Sequence, residues 1–234
     1  MLTATQMQIR NRHNAEKGQR IPMAANTAAP SSLQDMTWLG QPAQSKRDTV
    51  LASAQQVFSA NGFHQTEVQV ISNQTGISKA TIYKLFGSKN NLLQEMVREV
   101  FQHLGVLTLQ AIATEKPAMD RLLDIAESFL RFGEANRELC LLILRDAGNV
   151  VTEIGQSYQE KMAQLLPLVE PLFEAARQQG SLGKVDTDVI VDAILSNLLG
   201  HFQSWFLLYN CEGSLVDKGM RNVSFLVSGF SASR

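Results

Sequence analysis

Between Ser45 and Val100, apolar residues recur at helical spacing in four successive runs, each bounded by residues that stop or start a helix. The first run carries Val50, Leu51, Ala54, Val57 and Phe58 and stops at Asn61-Gly62, where glycine accommodates the left-handed conformation that ends helices. Thr66 followed three positions later by Gln69 reads as a capping box, which predicts a second helix from Glu67 to about Gln74 with Val68 and Ile71 facing inward. Thr75-Gly76-Ile77 makes a turn. Ser78 then caps a third helix through Lys84, in which Ile82 points to the core while Lys79, Ala80, Tyr83 and Lys84 fall on the opposite side. Gly87 ends that unit, and Ser88 caps a longer fourth helix whose Leu92, Leu93, Met96, Val97 and Val100 form one buried stripe. Short helices with a basic, hydroxyl-bearing third one are the layout of a helix-turn-helix DNA reader, and the outer face of that third helix is the expected reading head.

Phe58, Gly62, Thr66, Val68, Ile71, Gly76-Ile77-Ser78-Lys79, Thr81-Ile82-Tyr83, Phe86, Ser88-Lys89 and Leu92 fall in the order and spacing of the TetR/AcrR regulators. The stretch from about Lys46 to Val97 resembles that family, most specifically in Tyr83, Phe86 and Lys89. It departs from the usual pattern by small exchanges at Val70, Ser72, Thr75, Ala80 and Asn91. The resemblance implies an all-α protein with an N-terminal three-helix helix-turn-helix DNA-binding domain and a C-terminal helical ligand-binding and dimerisation domain. It also implies a homodimer on double-stranded, palindromic operator DNA, released by a small-molecule effector and acting most often as a repressor. Two cysteines, Cys140 and Cys211, imply no disulfide framework, so a reduced, cytoplasmic chain is expected. A transcriptional activator is one alternative; a non-enzymatic helical adaptor without DNA binding is another.

A chain of 234 residues accommodates these parts, with residues 1–45 as a disordered arm, 46–100 as the DNA-binding domain and 101–234 as the helical second domain. The three stretches carry net charges of +2, +2 and −5, a polarity that suits placing one end on phosphate. The arm is rich in Ala, Gln, Asn, Thr, Ser and Pro and lacks helical periodicity; its Arg10, Arg12, Lys17 and Arg20 could follow a phosphate backbone, although a solvated tail is the simpler reading.

Behind the reader, Pro117 suits the first turn of a helix through about Phe132, and Asn136 restarts the chain into Leu139 to Ala147. A long segment from Val151 to Gln179 follows, with Pro167 and Pro171 expected to bend or break it. After a turn at Gly180, Leu182 and Asp186 come two last helices, Thr187 to Tyr209 and about Val216 to Ser231. Val189 to Tyr209 is apolar on nearly every side, yet Asp192, Asn197, His201 and Gln203 interrupt it, so a membrane span is the wrong inference. One face packs on its own domain and the other calls for a second subunit; the expected interface is Leu195, Leu198, Phe202, Met220, Val223 and Val227, in line with the four-helix dimer contact that the resemblance implies. His103, Phe129, Phe132, Tyr158, Met162, Phe202 and Trp205, with His201 as an occasional polar contact, are candidates to line an apolar ligand pocket, though such residues at helical spacing are more often plain core.

For DNA, Lys79 and Lys84 supply charge to phosphates or guanine edges, the Ala80 methyl can meet a thymine methyl, and Tyr83 and Thr81 offer hydroxyls. Thr66, Ser78 and Lys89 stand at helix N-termini, where backbone N–H groups already favour phosphate; for Thr66 and Ser78 the alternative is a capping role alone. An enzyme is the weaker class. His13, His64, His103 and His201 fall singly without metal-ligand spacing, Cys140 and Cys211 form no C-x-x-C pair, and there is no nucleophile elbow, Walker loop or dinucleotide fingerprint. No metal and no cofactor is expected.

Overall fold

The first helix begins where a serine can close it. In the computed structural model, which describes residues 37–39, 41–146, 148 and 151–230, Ser45 Oγ accepts from the Asp48 N–H at 3.1 Å and Asp48 Oδ2 accepts from the Ser45 N–H at 3.1 Å. This reciprocal box starts α1 (Lys46–Asn61). α2 (Val68–Thr75), α3 (Lys79–Phe86) and α4 (Lys89–Ile112) follow, close to the expected bounds. Their apolar faces meet in one core in which Leu51, Phe58, Ile71, Leu92, Leu93 and Met96 are fully buried. Side chains of that size stabilise by roughly 1.5–3 kcal/mol each when taken out of water.

Upstream, Thr37–Trp38 (β1) pairs antiparallel with Gln41–Pro42 (β2), and the buried Trp38 joins the same core with Leu39 and Ala43 against it. The expectation of an unstructured arm through residue 45 is corrected here. An indole removes a large apolar area from water, which fixes the segment from Trp38 onward to α1. Residues 1–36, with the four basic side chains of the expected arm, lie outside the described residues.

The remaining helices are α5 (Ala118–Ala135), α6 (Arg137–Arg145), α7 (Val151–Gln178), α8 (Thr187–Leu207) and α9 (Leu215–Phe230). Apart from the hairpin, the architecture is all-α, with the helix-turn-helix unit first and a helical domain behind it. α7 runs unbroken through Pro167 and Pro171, both of which face solvent, so the backbone carbonyls they leave unbonded can be hydrated. α4 is a single rod of 24 residues, roughly 36 Å long, that packs on α3 at one end and on α5 and α7 further along. α5 is the hub of the second domain, in contact with α7, α8 and α9. Two glycines permit its close approaches: a Cβ on Gly133 would lie 1.7 Å from Phe202 Cε1, and one on Gly219 would lie 2.6 Å from Leu130 Cδ1.

α6 returns to the first core, where Leu139 and Leu142 are fully buried and Arg145 Nη2 donates to the Phe58 carbonyl at 2.9 Å. The core of the DNA-reading unit therefore extends past Val100 into α5 and α6. No described helix is long and apolar enough to cross a membrane.

Candidate nucleic-acid interface and apolar cavity

The two helices of the turn motif are set by short polar contacts. Gly76 takes a left-handed φ of +68°, which reverses the chain after α2. The buried Thr75 hydroxyl donates to the Ile71 carbonyl at 2.8 Å and accepts from the Ile77 N–H at 3.2 Å, holding that turn from inside. Ser78 Oγ accepts from the Thr81 N–H at 3.2 Å and caps α3, as its sequence position indicates. Ile82 and Phe86 pin α3 to the core. Lys79, Ala80, Tyr83 and Lys84 are left exposed on the opposite side, and Thr81 is half-buried between the two faces. Neither Lys79 nor Lys84 has a hydrogen-bond or ion-pair partner among the described residues, so both ammoniums are available to an anion. No acidic residue lies in Ser78–Phe86.

Further contacts fix how α3 sits. Arg47 of α1 reaches Glu95 at 2.5 Å and Glu99 at 3.2 Å on α4, and its guanidinium lies 5.2 Å from the Phe86 ring centroid, so one side chain joins α1, α3 and α4. Gln74 accepts from Ser53 at 3.1 Å and donates to Gln56 at 2.8 Å, joining α2 to α1. Sequence reasoning missed Arg47 and Gln74 because their partners are distant in the chain, and nothing in local spacing marks them.

Two of the expected contact residues are differently used. Thr66 does not cap α2; the cap is Glu67, without a side-chain hydrogen bond. Thr66 is 2% exposed and its hydroxyl donates back to the Gly62 carbonyl at 2.8 Å, so it stabilises the turn after α1. Gly62 (φ +85°) swings its carbonyl within reach of that hydroxyl, which wins over the capping box. Lys89 is half-buried, and its ammonium donates to the carbonyls of Phe63 at 2.9 Å, Thr66 at 3.0 Å and His64 at 3.4 Å.

The second domain holds a partly enclosed cavity of about 110 Å³ between α4, α5, α7 and α8, walled by aliphatic side chains such as Ile125, Leu166, Val191 and Ile194. Thr108 is its one hydroxyl-bearing lining residue, and that hydroxyl donates to the Leu104 carbonyl at 3.0 Å. No lining residue is charged. Of the expected pocket residues, Phe129 and Met162 line this cavity. The others lie elsewhere. His103 sits 5.2 Å from Phe132, which belongs to the first core, and burial lowers the His103 pKa from its ordinary value. Phe202 rests on Gly133, Trp205 Nε1 donates to the Gly213 carbonyl at 3.0 Å, and His201 meets Asn222 at 3.1 Å. The half-exposed Tyr158 bonds to Asp192, and burial together with that carboxylate raises its pKa.

The residues of the expected dimer face are largely engaged within the chain itself. Leu198 and Val223 are 3% and 1% exposed inside their own chain's core, Leu195 lines the cavity, and Phe202, Met220 and Val227 pack against the same core. The uncovered apolar side chains of α8 and α9 are Val189, Leu199, Leu207 and Phe225. α8 is apolar all round, so periodicity does not tell its inner face from its outer one.

Residues 50–96 match the family model for bacterial regulatory proteins of the tetR family. The chain is 29% identical over 122 residues to the transcriptional activator FasR of Mycolicibacterium smegmatis, a match that covers 52% of this chain and 55% of that protein. It is 23% identical over 167 residues to the nucleoid occlusion factor SlmA of Photobacterium profundum, covering 69% of this chain and 84% of that one. Its fold matches that of the transcriptional regulator FadR from Bacillus subtilis, solved in complex with stearoyl-CoA, with a TM-score of 0.62 at 20% identity over 77% of this chain and 97% of that one. The residues matched by the tetR family model coincide with the helix-turn-helix unit, and the likeness of fold runs on through the second domain.

Proposed function

We propose that the protein is a transcriptional regulator that binds a palindromic operator as a homodimer and is released from it by a small apolar ligand. The observation that carries this reading is the outer face of α3: two unpaired lysines, an alanine methyl and a tyrosine, exposed together on the second helix of a helix-turn-helix. Lys79, Lys84 and Tyr83 meet phosphates and base edges, and Ala80 lies against a base methyl. A second chain covers Leu199, Leu207 and Phe225 and sets two α3 helices about one helical turn, ~34–36 Å, apart.

The cavity supports a ligand whose buried part is neutral and apolar, since a charge placed among its aliphatic walls would lose hydration without a partner. An acyl chain has that character, and a FadR solved with stearoyl-CoA shares the fold. α4 touches α3 at one end and contributes Thr108 to the cavity at the other, so a ligand that favours one tilt of α4 couples to DNA affinity, typically by ~1–3 kcal/mol. Repression is the first reading. Activation is the second, supported by the naming of FasR as an activator.

Selection from random duplexes by the purified full chain, followed by an electrophoretic shift with and without stearoyl-CoA or coenzyme A alone, tests the reading. Recovery of one inverted repeat, released by the acyl compound and not by coenzyme A, supports it. Recovery of no sequence overturns the DNA role, and release by neither compound overturns the acyl ligand. Expression of a reporter behind the recovered site, with and without the protein, separates repression from activation.

A further inference from the structure

The geometry points to Lys89 as a positioning residue that ties α4 to the α1–α2 turn and thereby sets the angle of the reading helices, in place of a direct phosphate contact. This rests on the DNA-reading role of α3 proposed above. An ammonium has three N–H donors. Those of Lys89 are directed at the carbonyls of Phe63, His64 and Thr66, at 2.9, 3.4 and 3.0 Å, and the Phe63 ring lies against the same ammonium with its centroid 4.6 Å away. No donor is left for phosphate without giving up one of these bonds.

Three carbonyl oxygens turned to one point repel one another unless a cation lies between them. Lys89 is that cation, supplied from a residue 23 positions further along the chain than Thr66. The ring it covers is itself 2% exposed and stacks edge-on against Phe58 at 5.2 Å, so the contact reaches the centre of the first core. Lys89 is also the first residue of α4, directly after its cap Ser88, and Thr66 directly precedes the cap of α2. A displacement of the α4 N-terminus is thus passed through one side chain to the start of α2, and from α2 through the Gly76 turn to α3. Lys79 and Lys84 differ in kind, since their ammoniums are exposed and unpaired.

The test compares the full-length wild type with Lys89→Met, Lys89→Arg and Lys84→Ala. Each is titrated with the selected duplex and with an unrelated duplex of equal length across a salt series. Hydrogen exchange is followed at the amides of residues 64–72. Lys89→Met keeps the aliphatic stem and removes the donors. It is expected to lose roughly tenfold or more in affinity for the selected duplex, with unchanged affinity for the unrelated one, an unchanged salt slope and faster exchange. Lys89→Arg, which keeps donors and charge, restores part of both. Lys84→Ala lowers the salt slope by about one with protection intact. A Lys89→Met protein whose slope falls by about one while protection stays at the wild-type level overturns the proposal. Should the wild type bind neither duplex, the DNA-reading role fails, and exchange decides Lys89 alone: lost protection in Lys89→Met supports the tie, and unchanged protection overturns it.

Discussion

Replacing Phe225 with Arg tests which face of the last two helices meets a second chain. The ring is 78% exposed in the single chain and Leu199 is 61% exposed, so neither contributes much to the fold of its own protomer. Full burial of a phenylalanine contributes roughly 1.5–3 kcal/mol. A two-fold axis repeats every contact, so one substitution removes two rings and roughly 3–6 kcal/mol. That corresponds to a dimer roughly 10²–10⁴-fold weaker. Sedimentation across a concentration series reads the shift, and far-ultraviolet circular dichroism of Phe225→Arg is expected to keep its helical content. Leu198→Arg is the contrast: at 3% exposure it puts a charge into the chain's own core and is expected to unfold the second domain. A Phe225→Arg protein that dimerises over the same concentration range as the wild type would refute this choice of face.

Gly133→Ala gains roughly 0.8–1 kcal/mol in helix propensity, but its methyl would sit 1.7 Å from Phe202 and the ring must leave, so the urea midpoint is expected to fall. Gly155→Ala on α7 has nothing within 4 Å and is expected to raise it; equal shifts in one direction would contradict the packing described at Gly133. Burial pushes the Cys140 thiol up to about 12, so at pH 8 a disulfide reagent is expected to label Cys211 faster than Cys140; mass spectrometry showing both labelled at the same rate would count against that shift. Because the folded value lies above the ordinary 9.0, this group's contribution to stability is complete below about pH 9 and is lost as pH rises towards 12, which a Cys140→Ala comparison of urea midpoints across that range detects.

The elements of the first unit are legible in the sequence because local signals agree there: Ser78 and Ser88 cap the helices they precede, and Gly62, Gly76 and Gly87 end the ones they follow. Thr66 misleads because the same Thr-x-x-Gln spacing serves a capping box or a back-bonding hydroxyl, and only the path of the chain at Gly62 decides between them. The β1–β2 hairpin escapes because strands of two residues have no periodicity, although Trp38 in a polar stretch is a visible anchor. In the second domain, helices are readable but faces are not. Leu198 and Leu199 are neighbours of one residue type, one buried and one exposed, and the choice between them is made by where α5 and α9 pack. Phe129 and Met162 line the cavity, whereas Trp205 and Phe202, similar in size and spacing, pack in the α5–α8–α9 core.

The central claim is that the outer face of α3 meets DNA, and the salt dependence of binding by Lys79→Ala and Lys84→Ala tests it most directly. Both side chains are exposed and outside every core, so thermal unfolding is expected to match the wild type. Affinity for the selected duplex is expected to fall by roughly 1–3 kcal/mol where the lysine reads a base, and the slope of log affinity against log salt to drop by about one where it meets phosphate. If both variants bind with the wild-type affinity and the wild-type slope, α3 is not the reading helix.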